Sequence, residues 1–158
     1  MEDNQGPISI LIADDDEDDR LLFEDTLNGL QVSSSIDMVE NGKKLMESLK
    51  SSGGLQLPHL IFIDINMPFK NGLECLKEIR SNSIFDSIPI FMFSTSVSNI
   101  DIDKAYELGA NRYITKSFFF SSPIPTIELM LSVPWKYYLQ KVTLEKFVMS
   151  RVEKSTSY

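Results

Sequence analysis

The residues best equipped for chemistry are acids. Asp14-Asp15-Asp16-Glu17-Asp18-Asp19 is an unbroken run of six, and Asp64 ends the apolar stretch Leu60-Ile61-Phe62-Ile63. Ser94-Thr95 end another apolar stretch, and Lys116 ends Arg112-Tyr113-Ile114-Thr115. Carboxylates of Asp14, Asp15 and Asp64 brought within reach of one another repel by about 4 kcal/mol per pair at 4 Å and an effective dielectric of ~20, so they need a counter-ion or a proton. An all-oxygen set selects Mg²⁺ or Mn²⁺ over Zn²⁺. An EF-hand loop beginning at Asp14 is excluded, because its sixth residue would be Asp19 instead of Gly and its twelfth Asp25 instead of Glu. Asp16 to Asp19 are expected to be a solvated loop whose later members favour the positive end of a helix.

Five strand-then-helix units are needed to position these groups. Ile8 to Ala13 is a nearly continuous apolar run that breaks into the acids, as a strand buried on both faces does. Phe23, Leu27 and Leu30 give the following helix one apolar face, which Asn28-Gly29 closes. A weaker strand through Ile36, Met38 and Val39 leads to a helix capped by Asn41 with Leu45, Met46 and Leu49 inward. After a loop at Ser51-Ser52-Gly53-Gly54, the third strand runs from Leu60 to Ile63. Asn71-Gly72 then opens a helix burying Leu73, Leu76 and Ile79. Ile88 to Phe93 is the fourth strand, followed by a helix through Ile102, Ala105 and Tyr106 that Gly109 stops. Arg112 to Thr115 is the fifth strand. Ser122-Pro123 and Pro125 suit the start of a last helix with Ile127, Met130 and Leu131, which Pro134 blocks.

Such alternation predicts an α/β fold, a doubly wound, five-stranded parallel sheet with helices on both faces. Ligands bind such sheets at the carboxyl ends of the strands, where three carboxylates, two hydroxyls and one ammonium converge. Residues 5–133 form the predicted domain. The apolar residues beyond Pro134, among them Trp135, Tyr138, Leu144 and Phe147, predict an extension over 134–158 that packs back and frays at Ser155 to Tyr158.

The 158 residues carry 15 Lys and Arg against 23 Asp and Glu, a net charge of −8, which argues against a nucleic-acid partner. The single cysteine, Cys75, excludes an intramolecular disulfide and fits a reducing, cytoplasmic setting. The N-terminus has no signal-peptide pattern, and no apolar run reaches the ~18 residues that span a bilayer, so no membrane role is expected.

The acid pair after strand one, Asp64 in Asp64-Ile65-Asn66-Met67-Pro68 followed by Asn71-Gly72, a hydroxyl after strand four and an aromatic three residues before a lysine resemble the receiver domain of two-component response regulators. The resemblance covers Ile8 to Leu131. It is closest to stand-alone, chemotaxis-regulator-like receivers of flavodoxin-like fold without a DNA-binding output domain. It implies that Asp64 accepts a phosphoryl group from phosphohistidine, with Asp14 (through water), Asp15, Asp64 and the Asn66 backbone carbonyl as Mg²⁺ ligands and Mn²⁺ as an alternative. Lys116, Ser94 and Thr95 would act on the phosphoryl group, and Tyr113 would move inward with Ser94 as the switch. A sensor histidine kinase or histidine phosphotransfer protein and a downstream protein target are the implied partners, with a homodimer through the fourth helix, fifth strand and last helix. Slow self-dephosphorylation would be its only catalysis besides its own phosphorylation.

Two other classes fit the sequence less well. A haloacid-dehalogenase-type phosphohydrolase needs a second acid where Asn66 stands, and an FMN-binding flavodoxin needs a hydroxyl- and glycine-rich loop where the six acids stand. His59 is expected in a loop or cap and Cys75 as a small core residue. Phe118-Phe119-Phe120 is expected as a loop, either core for the extension or a docking patch. Receivers usually carry proline after the active-site lysine, with a cis bond between them. Ser117 stands here, and a non-proline cis bond would cost roughly 2 to 3 kcal/mol more, so a trans bond is expected.

Overall fold

In the computed structural model, which describes residues 7–51 and 56–149, strands and helices alternate: β1 (Ile8–Ala13), α1 (Glu17–Asn28), β2 (Ser34–Val39), α2 (Gly42–Ser51), β3 (Leu60–Ile63), α3 (Gly72–Arg80), β4 (Ile90–Ser94), α4 (Asn99–Glu107) and β5 (Arg112–Thr115). After β5 come α5 (Lys116–Ser121), α6 (Pro123–Leu131), a 3-10 turn at Trp135–Leu139, α7 (Leu144–Phe147) and β6 (Val148–Met149). All strand pairs are parallel, in the order β2-β1-β3-β4-β5-β6. The sheet reverses its direction of growth between β1 and β3, so their carboxyl ends flank the crevice where ligands bind such sheets.

Alternation along each buried strand divides the core in two. Leu11, Ala13, Ile61, Ile63, Met92 and Tyr113 face α2, α3 and α4. Ile10, Ile12, Phe62, Phe91, Phe93 and Ile114 face α1, α5 and α6. Period-two patterning puts apolar residues on both faces because helices cover both.

Among the described residues the sheet has six strands, one more than the sequence predicts. β6 lies parallel to β5, pairing Val148 with Tyr113 and Met149 with Ile114, and two residues are too few to show a strand period. Phe118 to Phe120 also depart from expectation, because they lie in the helix α5, which Thr115 caps by accepting from the Phe118 amide at 3.3 Å. Phe119 is fully buried between Phe23 and Phe93, and Phe118 and Phe120 pack on the same core. No peptide bond among the described residues is cis, so Lys116–Ser117 is trans. His59 accepts a hydrogen bond from the Ser9 amide at 2.9 Å and stacks on Trp135. The Ser52–Gly54 part of the expected loop and the expected frayed Ser155–Tyr158 lie outside the described residues.

Candidate functional site

The β1 and β3 ladders continue one residue past the strands. The Asp14 amide donates to the Val39 carbonyl at 3.0 Å, and the Asp64 amide to the Ala13 carbonyl at 2.9 Å. Both carboxylates are thereby held on rigid backbone at the rim. The Asp14 main chain is fixed again by Arg20, whose Nη1 donates to its carbonyl at 2.6 Å. Asp16 caps α1 by accepting from the Asp19 amide, and the acids of the first turn meet the positive end of the helix.

Below Asp64, the loop is anchored by buried Ile65 and Met67 and by a hydrogen bond from the Gly72 amide to the Ile65 carbonyl at 2.8 Å. A side chain at Gly72 would stand 2.1 Å from the Asp64 carbonyl oxygen, so only glycine permits this approach. Asn71 and Glu74 form a reciprocal capping box that fixes the start of α3. Asn66 is exposed at the rim. Phe69 adopts φ 69°, with its side chain 84% exposed, in a tight turn closed by the Lys70 amide and Pro68 carbonyl.

Asp14, Asp15 and Asp64 each bring a carboxylate oxygen within 4.8 Å of the others. Asp14 is fully buried, Asp64 nearly so, and Asp15 exposed, which leaves the cluster open on one side. Lys116 is the central cation. Its Nζ lies 2.7 Å from Asp14 Oδ2, 2.9 Å from Asp19 Oδ2 and 3.1 Å from Asp64 Oδ2. Burial disfavours its charge, yet hydrogen bonds to Asp14 and Asp19 and the field of Asp64 more than compensate, and the pKa rises above the ordinary lysine value. Burial pushes the Asp14 carboxyl up to about 6, against the pull of Lys116 and the Asp16 amide.

One ammonium does not satisfy this set. Among the described residues, the buried Asp64 Oδ1 has no hydrogen-bond partner. An unpaired buried carboxylate oxygen beside two further carboxylates fits a hard divalent cation bound through oxygen.

The other predicted residues gather along one path. Ser94 is fully buried at the end of β4, where its Oγ accepts from the Ser96 amide at 3.1 Å, and Thr95 is exposed beside it. Tyr113 is fully buried and donates its hydroxyl to the Ser96 carbonyl at 2.9 Å. One residue escaped the sequence reading. Asp19, assigned to the helix terminus alone, also pairs with Lys116. The signal was its position four residues before Phe23, on the inward face of α1. Ser96, whose Oγ also donates to Asp101 at 2.7 Å, ties the β4 end to α4.

The sequence model of the response regulator receiver domain matches residues 10–123. Chemotaxis protein CheY1 of Helicobacter pylori is 32% identical over 111 residues, 70% of this chain and 86% of that protein. Response regulator Rcp1 of Synechocystis is 31% identical over 119 residues, 73% of this chain and 81% of that protein. Among solved structures, the phosphorylated cyanobacterial phytochrome response regulator RcpA is similar, with a TM-score of 0.72 and 30% identity over 87% of this chain and 98% of that one. The Mn²⁺-bound form of Rcp1 has the same TM-score at 28% identity, again over 87% of this chain and 98% of that one. The sheet that carries these groups is thus one of known architecture, and the chain belongs to the response regulator receiver domain family, whose members serve two-component signalling.

Proposed function

We propose that Asp64 is the phosphoacceptor of this receiver and that its phosphorylation signals through a protein contact. The observation that carries the reading is the convergence of Asp14, Asp15 and Asp64, with Lys116 against Asp14 and Asp64 and one Asp64 oxygen unpaired. In the reaction, an Asp64 oxygen attacks the phosphorus of a phosphohistidine. The phosphorus–nitrogen bond breaks, its electron pair returns to the imidazole, and an acyl phosphate remains. Asp14, Asp15, Asp64 and the Asn66 carbonyl would hold Mg²⁺ or Mn²⁺, which supplies positive charge for the phosphoryl oxygens. Lys116 supplies the second positive charge, and Ser94 and Thr95 offer hydroxyl donors to the same oxygens. Rotation of the Ser94 hydroxyl toward the phosphoryl group would alter its bond with Ser96, and through Ser96 reach Tyr113. The neighbours solved phosphorylated and with Mn²⁺ support the acceptor and the metal.

A sensor histidine kinase or a histidine phosphotransfer protein is the phosphohistidine donor in this reading. RcpA is a phytochrome response regulator by name, so a phytochrome-type kinase belongs among the donors to test. Residues 5–133 make the receiver and 134–158 its extension. A homodimer through α4, β5 and α6 would have to accommodate the chain's own β6 on the edge of β5.

The deciding experiment is incubation with acetyl phosphate and Mg²⁺, followed by mass measurement of the intact protein. One phosphoryl group per chain, absent with chelator and absent in Asp64→Asn, is the expected result. Stoichiometric uptake by Asp64→Asn would overturn the assignment, and steady turnover of the donor without a bound group would favour a phosphohydrolase.

A further inference from the structure

The segment after α6 does more than cover the sheet edge. Tyr106 donates its hydroxyl to the Val142 carbonyl at 2.6 Å, Thr143 caps α7, and Phe147 is fully buried. The Phe147 ring lies 5.1 Å from that of Tyr106 and 6.3 Å from that of Tyr113. The next two residues pair with Tyr113 and Ile114 through the backbone. Tyr113 is therefore enclosed. Its hydroxyl is on the Ser96 carbonyl, its backbone is paired on both sides by β4 and β6, and Phe147 packs on its face of the sheet.

We infer that Phe147 is a positioning residue for the acceptor site: packed beside Tyr113, it holds that side chain inward on the Ser96 carbonyl, so that docking of residues 144–149 and occupation of the site favour one another. This rests on Asp64 being the acceptor. The link is continuous, because the Ser96 residue that receives the Tyr113 hydroxyl donates its amide to Ser94 Oγ at the rim. With Phe147 withdrawn, the aromatic space beside Tyr113 opens and an outward rotamer competes with the one bonded to Ser96. Any anion that requires the inward arrangement then binds less well. Linkage makes the converse hold, since what the segment does to site affinity the site must do to segment docking, by the same factor.

The test uses the full chain with Mg²⁺ and beryllofluoride, a tetrahedral mimic of a phosphoryl group on a carboxylate, with binding followed by ¹⁹F NMR. Phe147→Ala is expected to raise the half-saturating beryllofluoride concentration about tenfold, within the usual span of coupling between sites. Phe147→Leu, which refills much of the space, should restore most of it. In the wild type, beryllofluoride should slow amide hydrogen exchange across 144–149 by a similar factor. Tyr106→Phe, which loses only the hydroxyl bond to Val142, should speed basal exchange there and weaken beryllofluoride in the same direction. Unchanged half-saturation in a folded Phe147→Ala, or unchanged 144–149 exchange on binding, would overturn the proposal. Should Phe147→Ala fail to fold, the wild-type exchange measurement decides alone. If the wild type takes no phosphoryl group from acetyl phosphate with Mg²⁺, the acceptor reading falls and this inference with it. If it does take one while exchange stays unchanged, only the inference falls.

Discussion

Lys116 neutralises a site that would otherwise be strongly self-repelling. It is 4% exposed and lies within 3.1 Å of three carboxylates, two of them buried. Removing one partner of a buried pair leaves an uncompensated charge and typically costs about 3 to 5 kcal/mol, part of which protonation relieves here. Lys116→Met should therefore unfold at lower urea concentration in chelator at pH 7, and Mg²⁺ should recover part of the loss. An unchanged midpoint would show that the lysine is not the counter-charge. Cys75 gives a separate test at this scale. It is fully buried against Gly42, and burial pushes its thiol up to about 11 from an ordinary 9. The folded pKa exceeds the unfolded one, so this contribution is complete below pH 9 and is lost as pH rises through 11. About 2 to 3 kcal/mol should disappear over that window. Urea titrations of the wild type and Cys75→Ala at pH 8 and pH 11 should diverge accordingly, and parallel curves would contradict it.

At the scale of elements, the junction between β3 and α3 decides where Asp64 points. The capping box at Asn71 and Glu74 sets the helix start, and Gly72 allows its first turn to press on the Asp64 carbonyl. Gly72→Ala must move one or the other. It should cost about 1 to 3 kcal/mol as overpacking and lower the yield of acyl phosphate together with stability. Full phosphorylation in a destabilised Gly72→Ala would mean that the contact serves folding alone. This junction was legible in Asn71-Gly72 because turn chemistry is local. The four central strands were legible for a related reason, since burial on both faces leaves uninterrupted apolar runs such as Leu60 to Ile63. What escaped the sequence depends on partners distant in the chain. β6 exists because β5 offers an unpaired edge to two residues more than thirty positions away. Three phenylalanines have no helical period until Phe23 and Phe93 define an inner side for α5. Asp19 counts as part of the site only when Lys116 is delivered from the far end of the fold.

For the whole molecule, the acid rim is a local charge excess on a chain already at −8, and folding creates it. The unfolded chain separates Asp14 and Asp15 from Asp64 by some fifty residues, so a divalent ion that needs all three is bound by the native state alone. Such an ion stabilises by RT ln(1 + [L]/Kd), about 2.7 kcal/mol at one hundred times Kd. For a domain of this size that corresponds to a rise in Tm of roughly 5 to 10 °C. The informative variant is Asp15→Ala, because Asp15 is exposed and its removal leaves the core untouched. Without divalent ions it should melt at or slightly above the wild-type temperature, since one repulsive partner is gone. With Mg²⁺ in excess it should lose most of the shift that the wild type shows. Removing the ion with chelator should return the wild type to its lower melting temperature. The pattern separates a specific site from general screening of a negative surface, because NaCl at matched ionic strength would raise both proteins alike. If Asp15→Ala kept the full Mg²⁺-dependent shift, the cation would be bound elsewhere and the convergence of these three carboxylates would be a burden that Lys116 carries alone.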